Sequence, residues 1–145
     1  MLQIEVREIP LAETRALRRE VLRPHSSLED LASHEPAGSI AFGAFDGDEL
    51  LAVGLVGPDG EAPGDWRVRG MATKPDARGR GAGTGVLQAL VRHAVAHGAT
   101  RLWCNARTRA RTLYERVGFV VASDEFEPPD IGPHYRMELP VAAGR

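Results

Sequence analysis

The segment from Arg78 to Gly85 constrains the chain more than any other feature of its sequence. It reads Arg-Gly-Arg-Gly-Ala-Gly-Thr-Gly, follows a Val/Met/Thr stretch, and precedes an apolar-periodic helix. Alternate glycines let the backbone turn tightly and approach a ligand, and the first turn of a helix presents unpaired N–H groups and a partial positive charge. Guanidinium groups match phosphate oxygens in a bidentate way. The segment therefore predicts a loop that binds a diphosphate.

Two nucleotide-binding motifs do not fit this loop. A Walker A loop ends in Gly-Lys-Ser/Thr, whereas here Gly83 is followed by Thr84 without a lysine. A dinucleotide fingerprint needs glycine or alanine at its sixth position. From the three glycines that could open it, the sixth residue is Thr84, Val86 or Gln88.

Composition sets broader limits. A chain of 145 residues forms one domain, spanning residues 1–145, with a sizeable core. A net charge of −2 gives no general attraction to nucleic acid. The single cysteine, Cys104, excludes an internal disulfide. The sequence contains no apolar run long enough for a membrane span, and Glu5 and Glu8 do not suit a signal peptide. We expect a cytoplasmic protein that binds neither nucleic acid nor membrane.

Hydrophobic periodicity predicts a mixed α/β sheet protein of about seven strands. The first strand contains Leu2, Ile4 and Val6, and Asp46-Gly47-Asp48 forms a hairpin turn. The remaining strands are predicted at Ser39–Phe45, Leu50–Val56, Trp66–Thr73, Arg101–Asn105, Phe119–Ala122 and His134–Leu139. Helices are predicted at Leu11–Leu22, near Ser27–Ser33, from Gly83 to Gly98, and at Arg107–Arg116, and the longest late loop at Asp124–Pro133.

Two motifs resemble those of the GNAT superfamily of N-acetyltransferases. Arg78, Gly81 and Gly83 match its acetyl-CoA motif, Arg/Gln-x-x-Gly-x-Gly/Ala, and Pro75 ends the preceding strand as in the family. The stretch from Ala110 to Phe119 is similar to its A-x-x-L/F-Y-x-x-x-G-F motif. The resemblance covers roughly residues 40 to 139.

The resemblance implies a mixed sheet with helices on both faces, whose fourth and fifth strands splay apart to admit the pantetheine arm of acetyl-CoA. It implies transfer of an acetyl group from acetyl-CoA to a primary amine by direct attack in a ternary complex. The cofactor-binding residues it implies are Met71, Ala72, Thr73, Arg78, Gly79, Arg80, Gly81, Ala82, Gly83, Thr84, Asn105 and Arg107. A turn-forming role for Asn105 and a solvated helix face for Arg107, Arg109 and Arg111 are the alternatives.

The same resemblance implies two catalytic groups. Tyr114 occupies the position of the acid that protonates the CoA thiolate, and a phenol is protonated at neutral pH; the alternative is a core tyrosine. The backbone N–H of Met71 occupies the position of the donor to the thioester carbonyl, as against an ordinary central strand.

The general base is not fixed by the motifs. Many family members carry a glutamate on strand four, but Trp66–Met71 contains no carboxylate. We therefore expect either a water chain or His134, after Ile131-Gly132-Pro133, to take the proton. His25, His34 and Glu35 are weaker candidates, and a structural histidine is the alternative role for His134.

The identity of the acceptor stays open between a small amine, an amino acid, an aminoglycoside-like compound and a protein N-terminus. Arg69 is a candidate to orient an acceptor carboxylate, with cross-strand pairing as the alternative. No His/Cys spacing suits a metal, so we expect none. A catalytically weak acyl-CoA sensor, a regulatory protein that binds RNA, and a homodimer remain open.

Overall fold

A computed structural model describes residues 3–129 and 131–141. The strands are β1 Glu5–Ile9, β2 Ile40–Asp46, β3 Glu49–Pro58, β4 Asp65–Thr73, β5 Arg101–Arg107, β6 Val120–Val121 and β7 His134–Pro140. The helices are α1 Arg15–Leu22, α2 Leu28–Ser33, α3 Ala82–Ala96 and α4 Arg111–Val117, with 3-10 turns at Leu11–Thr14, Pro75–Ala77 and Thr108–Ala110. Leu2, assigned to the first strand by its alternation, lies outside the described residues.

The seven strands form one sheet in the order β1-β2-β3-β4-β5-β7-β6. All neighbours are antiparallel except β4 and β5, which run parallel and pair only over Asp65–Arg67 and Arg101–Trp103. Beyond these residues β4 and β5 do not pair, so each strand has a free edge facing the other. The predicted mixed sheet with splayed fourth and fifth strands is confirmed.

Helices cover both faces of the sheet, as predicted. On one face α3 buries Val86, Leu87 and Leu90 in a core that also contains Leu102 and Phe119. On the other face α1 buries Leu17 against residues of β1, β2 and β3. The apolar stripe of α3 and the alternation of β5 are thus satisfied by the same core.

A bulge interrupts β4 at Gly70. Val53 of β3 pairs with Ala72, but Leu55 pairs with Arg69, so two residues of β4 lie opposite Gly54. Gly70 has φ of 62°, a left-handed conformation that glycine adopts without a Cβ penalty. The bulge changes the direction of β4 just where it separates from β5.

Several predicted boundaries are wrong, and β1 begins at Glu5, so Ile4 lies before it. Strand five continues to Arg107, because β7 pairs with it along its whole length, and α4 begins only at Arg111 after a 3-10 turn. Arg107 therefore lies on a strand and not on a helix. The sixth strand is reduced to Val120–Val121, an edge strand with β7 as its partner. The first predicted helix begins as a 3-10 turn.

Candidate active site

A cavity of about 1160 Å³ lies where β4 and β5 separate. Its wall is built from the loop before α3, the free edge of β4, residues of α1, α2 and α4, and the segment leading into β7. The separation of the two strands lets side chains from both faces of the sheet line one space. The two sequence motifs and the predicted histidine therefore meet in the same cavity.

The loop before α3 has the geometry of an anion site. Gly81 is the N-cap of α3 with φ of 85°, and its carbonyl accepts from the Gly85 N–H at 2.9 Å. A Cβ at Gly79 or Gly81 would meet no atom within 4 Å. The space beside these two residues is therefore open to a ligand at the N-terminus of a helix of 15 residues.

The other two glycines of the loop serve a different purpose. A Cβ on Gly83 would lie 3.0 Å from Thr73 Oγ1, and one on Gly85 would lie 3.1 Å from Val6 Cγ2. Both glycines let α3 pack closely on the sheet. Of the four glycines, only Gly79 and Gly81 would leave an added Cβ in open space, although Gly83 also lines the cavity.

The two loop arginines differ in position. Arg78 lines the cavity, whereas Arg80 is exposed and does not belong to the cavity wall. In the described part of the chain neither forms an ion pair. The hydrogen bond and charge of Lys74 lower the pKa of Glu49 against the opposing effect of burial, and the charge of Arg80 adds a smaller lowering. Arg78 is the arginine placed to meet an anion in the cavity.

The free edge of β4 supplies the next part of the wall. Met71 and Thr73 line the cavity, while Ala72 is buried in the core beneath α1. A Cβ on Gly54 would lie 2.4 Å from the Met71 sulfur. The bulge and the small residue opposite it therefore fix where Met71 lies.

Tyr114, on α4, is buried and lines the cavity. Its ring packs edge-on against Phe119 at a centroid distance of 5.6 Å. Burial, with a further contribution from Cys104, raises the pKa of Tyr114 well above its ordinary value. The phenol therefore stays protonated at neutral pH.

His134 is buried at the start of β7 and lines the same cavity. Its Nδ1 lies 2.8 Å from the Gly132 carbonyl oxygen. Because a carbonyl only accepts, Nδ1 must carry the proton, and in a neutral ring the lone pair is then on Nε2. The segment before β7 thus selects the tautomer and leaves Nε2 able to accept a proton.

Comparison with known proteins decides the family. The Acetyltransferase (GNAT) family matches residues 4–119. The chain belongs to the GNAT family of acetyltransferases. A relative from Bacillus subtilis (strain 168), named uncharacterized N-acetyltransferase YitI, is 29% identical over 140 residues, which cover 92% of this chain and 94% of the relative.

Solved structures share the GNAT fold. A GCN5-related N-acetyltransferase from Kribbella flavida has a TM-score of 0.75 at 23% identity, covering 95% of this chain and 98% of that one. The ribosomal-protein-S18-alanine N-acetyltransferase of Escherichia coli has a TM-score of 0.77 at 18% identity, covering 99% of this chain and 97% of that one. A Bacillus subtilis acetyltransferase in complex with CoA has a TM-score of 0.72 at 18% identity, covering 98% of this chain and 100% of that one.

Two carboxylates considered for the base of this GNAT site, Asp65 and Glu35, are held by arginines, whereas Asp30 is exposed on the cavity wall. The observed β4 begins one residue earlier than predicted and so contains an acid, Asp65, but this side chain accepts from Arg101 at 2.9 and 3.1 Å, far from the bulge. The hydrogen bonds from Arg101 are the largest effect lowering the pKa of Asp65. Such a carboxylate is a poor base.

Glu35, a weaker candidate for the base, is also occupied. Its side chain is 3% exposed and contacts two guanidinium groups, with Arg15 at 2.8 Å and Arg18 at 2.5 Å. Burial raises the pKa of Glu35, but the hydrogen bonds from Arg15 and Arg18 outweigh it and lower the pKa overall. The arrangement joins α1 to the segment after α2 and leaves no free carboxylate oxygen for the substrate.

The remaining predicted residues occupy several positions around the cavity. Asn105 is exposed on the wall and pairs with Arg136 of β7 in the sheet. Arg107 donates through Nη2 to the Leu22 carbonyl oxygen at 2.6 Å, at the end of α1. Arg69 donates to Asp59, one residue past the end of β3, at 2.6 Å, while its cross-strand partner is Leu55.

Only one of the two weaker histidine candidates lines the cavity. His34 lies on the wall with Nδ1 2.7 Å from the Asp30 carbonyl oxygen, whereas His25 is exposed away from the wall.

Among the helices of the described residues, none has the length and apolar character needed to span a membrane.

Sequence reasoning missed the Gly70 bulge and the buried Arg18 beside it. A Cβ on Gly70 would lie 3.0 Å from Arg18 Nε. Isolated glycines inside strand patterns, here Gly54 and Gly70, are a signal for a bulge. No sequence signal identifies Arg18, because its partner Glu35 is distant in the chain.

Proposed function

We propose that the protein is an N-acetyltransferase that moves an acetyl group from acetyl-CoA to a primary amine by direct attack in a ternary complex. The observation that supports this most is the single cavity in which the anion loop, the free edge of β4, Tyr114 and His134 come together. A donor with a diphosphate and an extended arm suits a helix N-terminus followed by an open strand edge.

The residues around the loop fit acetyl-CoA. Its diphosphate suits the open space beside Gly79 and Gly81 and the N–H groups of the first turn of α3. Arg78, which forms no ion pair among the described residues, adds a full positive charge there. The unpaired edge of β4 at Met71 and Thr73 offers main-chain partners to the pantetheine arm. In this proposal Ala72 of β4 and Ala82 and Thr84 of the first turn of α3 also contact acetyl-CoA. Asn105 of β5 faces the pantetheine arm.

Acetyl-CoA supplies an activated acetyl group as its thioester. The chain supplies three functions around it: the Met71 N–H donates to the carbonyl oxygen as charge develops there, His134 Nε2 accepts the proton of the attacking amine, and Tyr114 gives its proton to the departing sulfur. Each acts on a different atom of the reaction.

Direct attack is favoured over a covalent acyl-enzyme by the state of the only cysteine. Cys104 is buried, and its burial raises the pKa of the thiol to about 12. A thiol is nucleophilic as its thiolate, which this environment suppresses at neutral pH. Cys104 therefore serves the core, and the amine itself is the nucleophile.

The proposal is tested by calorimetry with acetyl-CoA, followed by thiol release measured across a panel of amines. We expect acetyl-CoA to bind more tightly than NAD or ATP, and at least one amine to produce stoichiometric CoA and acetylated product by mass spectrometry. Binding of NAD or ATP in preference to acetyl-CoA would refute the proposal.

A second candidate, a sensor that binds acyl-CoA with little turnover, is favoured by one observation. The observed acids near β4, Asp65 and Glu35, are held by arginines, so no carboxylate base is available from them. Acetyl-CoA binding without thiol release for any amine would favour the sensor over the transferase.

A further inference from the structure

The cavity wall around Arg107 has an excess of positive charge. Arg23, Arg107 and Arg109 all line the cavity, and none forms an ion pair with an acid of the described residues. Among the described residues on the wall, Asp30 is the only acid. Such a wall repels a purely cationic acceptor and attracts one with a negative group.

Arg107 lies on the face of the sheet that carries α1. Leu102, Cys104 and Ala106 of β5 point into the core beneath α3, so the alternate residues Asn105 and Arg107 point the other way. The contact of Arg107 with the Leu22 carbonyl at the end of α1 agrees with this placement. Arg107 is thus on the opposite face from α3, whose N-terminus forms the anion loop.

The environment of Arg107 favours binding of an anion. Its neighbour, the Leu22 carbonyl, is neutral and occupies one of the five guanidinium N–H groups. Partial burial, and then the charges of Arg109 and Arg23, lower the pKa of Arg107. These effects all disfavour an unaccompanied guanidinium, and a bound carboxylate would relieve them.

Arg107 is also next to the candidate base. It is the register partner of His134 in the antiparallel pair of β5 and β7, so both side chains lie on the same face. Directly opposed residues have Cβ atoms roughly 5 Å apart. An anion bound by Arg107 would therefore bring a neighbouring amine close to the His134 ring.

We propose that the acceptor is an amine with an adjacent carboxylate, as in an α-amino acid, and that Arg107, flanked by Arg23 and Arg109, binds this carboxylate. This inference rests on the proposed function and specifies its substrate class. It assigns Arg107 to the acceptor, in place of the cofactor role implied by the family resemblance. It also disfavours polyamines, aminoglycoside-like compounds and protein N-termini, which lack an adjacent carboxylate.

The test compares matched acceptors. The proteinogenic α-amino acids, their carboxamides and the corresponding decarboxylated amines are assayed for acetyl-CoA-dependent thiol release, with spermidine and kanamycin as cationic probes. We expect kcat/KM for the best free acid to exceed that of its carboxamide by about 10-fold or more, as a charge-assisted bidentate pair provides. Turnover confined to carboxamides, amines or the cationic probes would overturn the inference while leaving the proposed function intact.

Variants locate the carboxylate. Arg107→Gln should raise KM for the free acid by about 10-fold, leave the carboxamide unchanged, and keep acetyl-CoA affinity within about twofold of wild type. Arg92→Gln, at an exposed position of α3 away from the cavity, is the matched control. If Arg107→Gln does not fold, Arg23→Gln and Arg109→Gln, both at exposed positions, take its place. Each should raise KM for the free acid and leave the carboxamide unchanged.

Two results would contradict the assignment. Equal losses for acid and carboxamide would mean that Arg107 acts on the fold, and a loss of acetyl-CoA affinity would return it to the cofactor. If acetyl-CoA binds but no compound in the panel is acetylated, the proposed function fails and the inference fails with it.

Discussion

The bulge in β4 gives the most decisive test, through the substitution Gly70→Ala. Gly70 has φ of 62°, and the new Cβ would lie 3.0 Å from Arg18 Nε and 3.3 Å from Leu55 Cδ1. An alanine in this left-handed region costs about 1–2 kcal/mol. Crowding in a packed site adds about 1–3 kcal/mol. We expect a total loss of about 2–5 kcal/mol in the free energy of unfolding.

Gly47→Ala separates the two contributions. Gly47 has φ of 61° in the turn between β2 and β3, and a Cβ there would meet nothing within 4 Å. It should therefore lose only the backbone contribution, about 1–2 kcal/mol. At about 3–4 °C per kcal/mol for a chain of this size, calorimetry should show a larger fall in Tm for Gly70→Ala than for Gly47→Ala.

Activity provides the second readout. The bulge fixes the position of Met71, whose N–H we propose as the donor to the thioester oxygen, and loss of such a donor costs about 10²-fold or more in kcat. Gly47→Ala should retain kcat when both variants are assayed well below their Tm. Equal Tm shifts would refute the crowding, and an unchanged kcat in folded Gly70→Ala would refute the role of the bulge.

Four further predictions concern single groups. Arg78→Glu should weaken acetyl-CoA binding by about 1–3 kcal/mol in calorimetry, whereas Arg92→Glu, at an exposed position off the cavity, should not; equal losses would point to general charge effects. Tyr114→Phe should lower kcat on the order of 10²-fold with little change in acetyl-CoA affinity, and a kcat within about threefold of wild type would remove the phenol from the mechanism. His134→Ala should lower kcat/KM on the order of 10²-fold without rescue by His134→Gln, and activity close to that of the wild type would leave a water chain as the base. Because the folded-state pKa of Glu35 lies below its unfolded value, its stabilisation is present above the unfolded pKa and is lost as pH falls through the folded pKa. Glu35→Gln should therefore lower the free energy of unfolding by about 3 kcal/mol at neutral pH and flatten the acid side of the stability profile, and denaturant titrations that show no difference at neutral pH would contradict this.

Much of the fold was predictable from the sequence, because local patterns carry it. The stripe of Leu87, Leu90 and Ala94 predicts α3, and all three are fully buried. The turn at Gly47 and the loop before α3 follow from glycine chemistry, which is also local. Boundaries failed where a distant partner decides them: strand five extends to Arg107 because β7 pairs with it there.

The site was predictable only in part. The anion loop and Tyr114 were found because they lie in contiguous motifs, and their catalytic and binding roles stay predictions. The roles of Arg80 and Arg107 depend on where strands and loops face, which sequence spacing does not report. Arg80 lies off the cavity wall, and Arg107 lies on the face opposite α3.

The sequence by itself determined the order of elements, the glycine loop and the family, since each depends on residues near one another in the chain. Only the tertiary structure decided which groups share the cavity. Tyr114 belongs to the α3 side of the sheet, and His134 shares the α1 side with Arg107. They meet because β4 and β5 stop pairing after Arg67 and Trp103, leaving a gap through the sheet that both faces can reach.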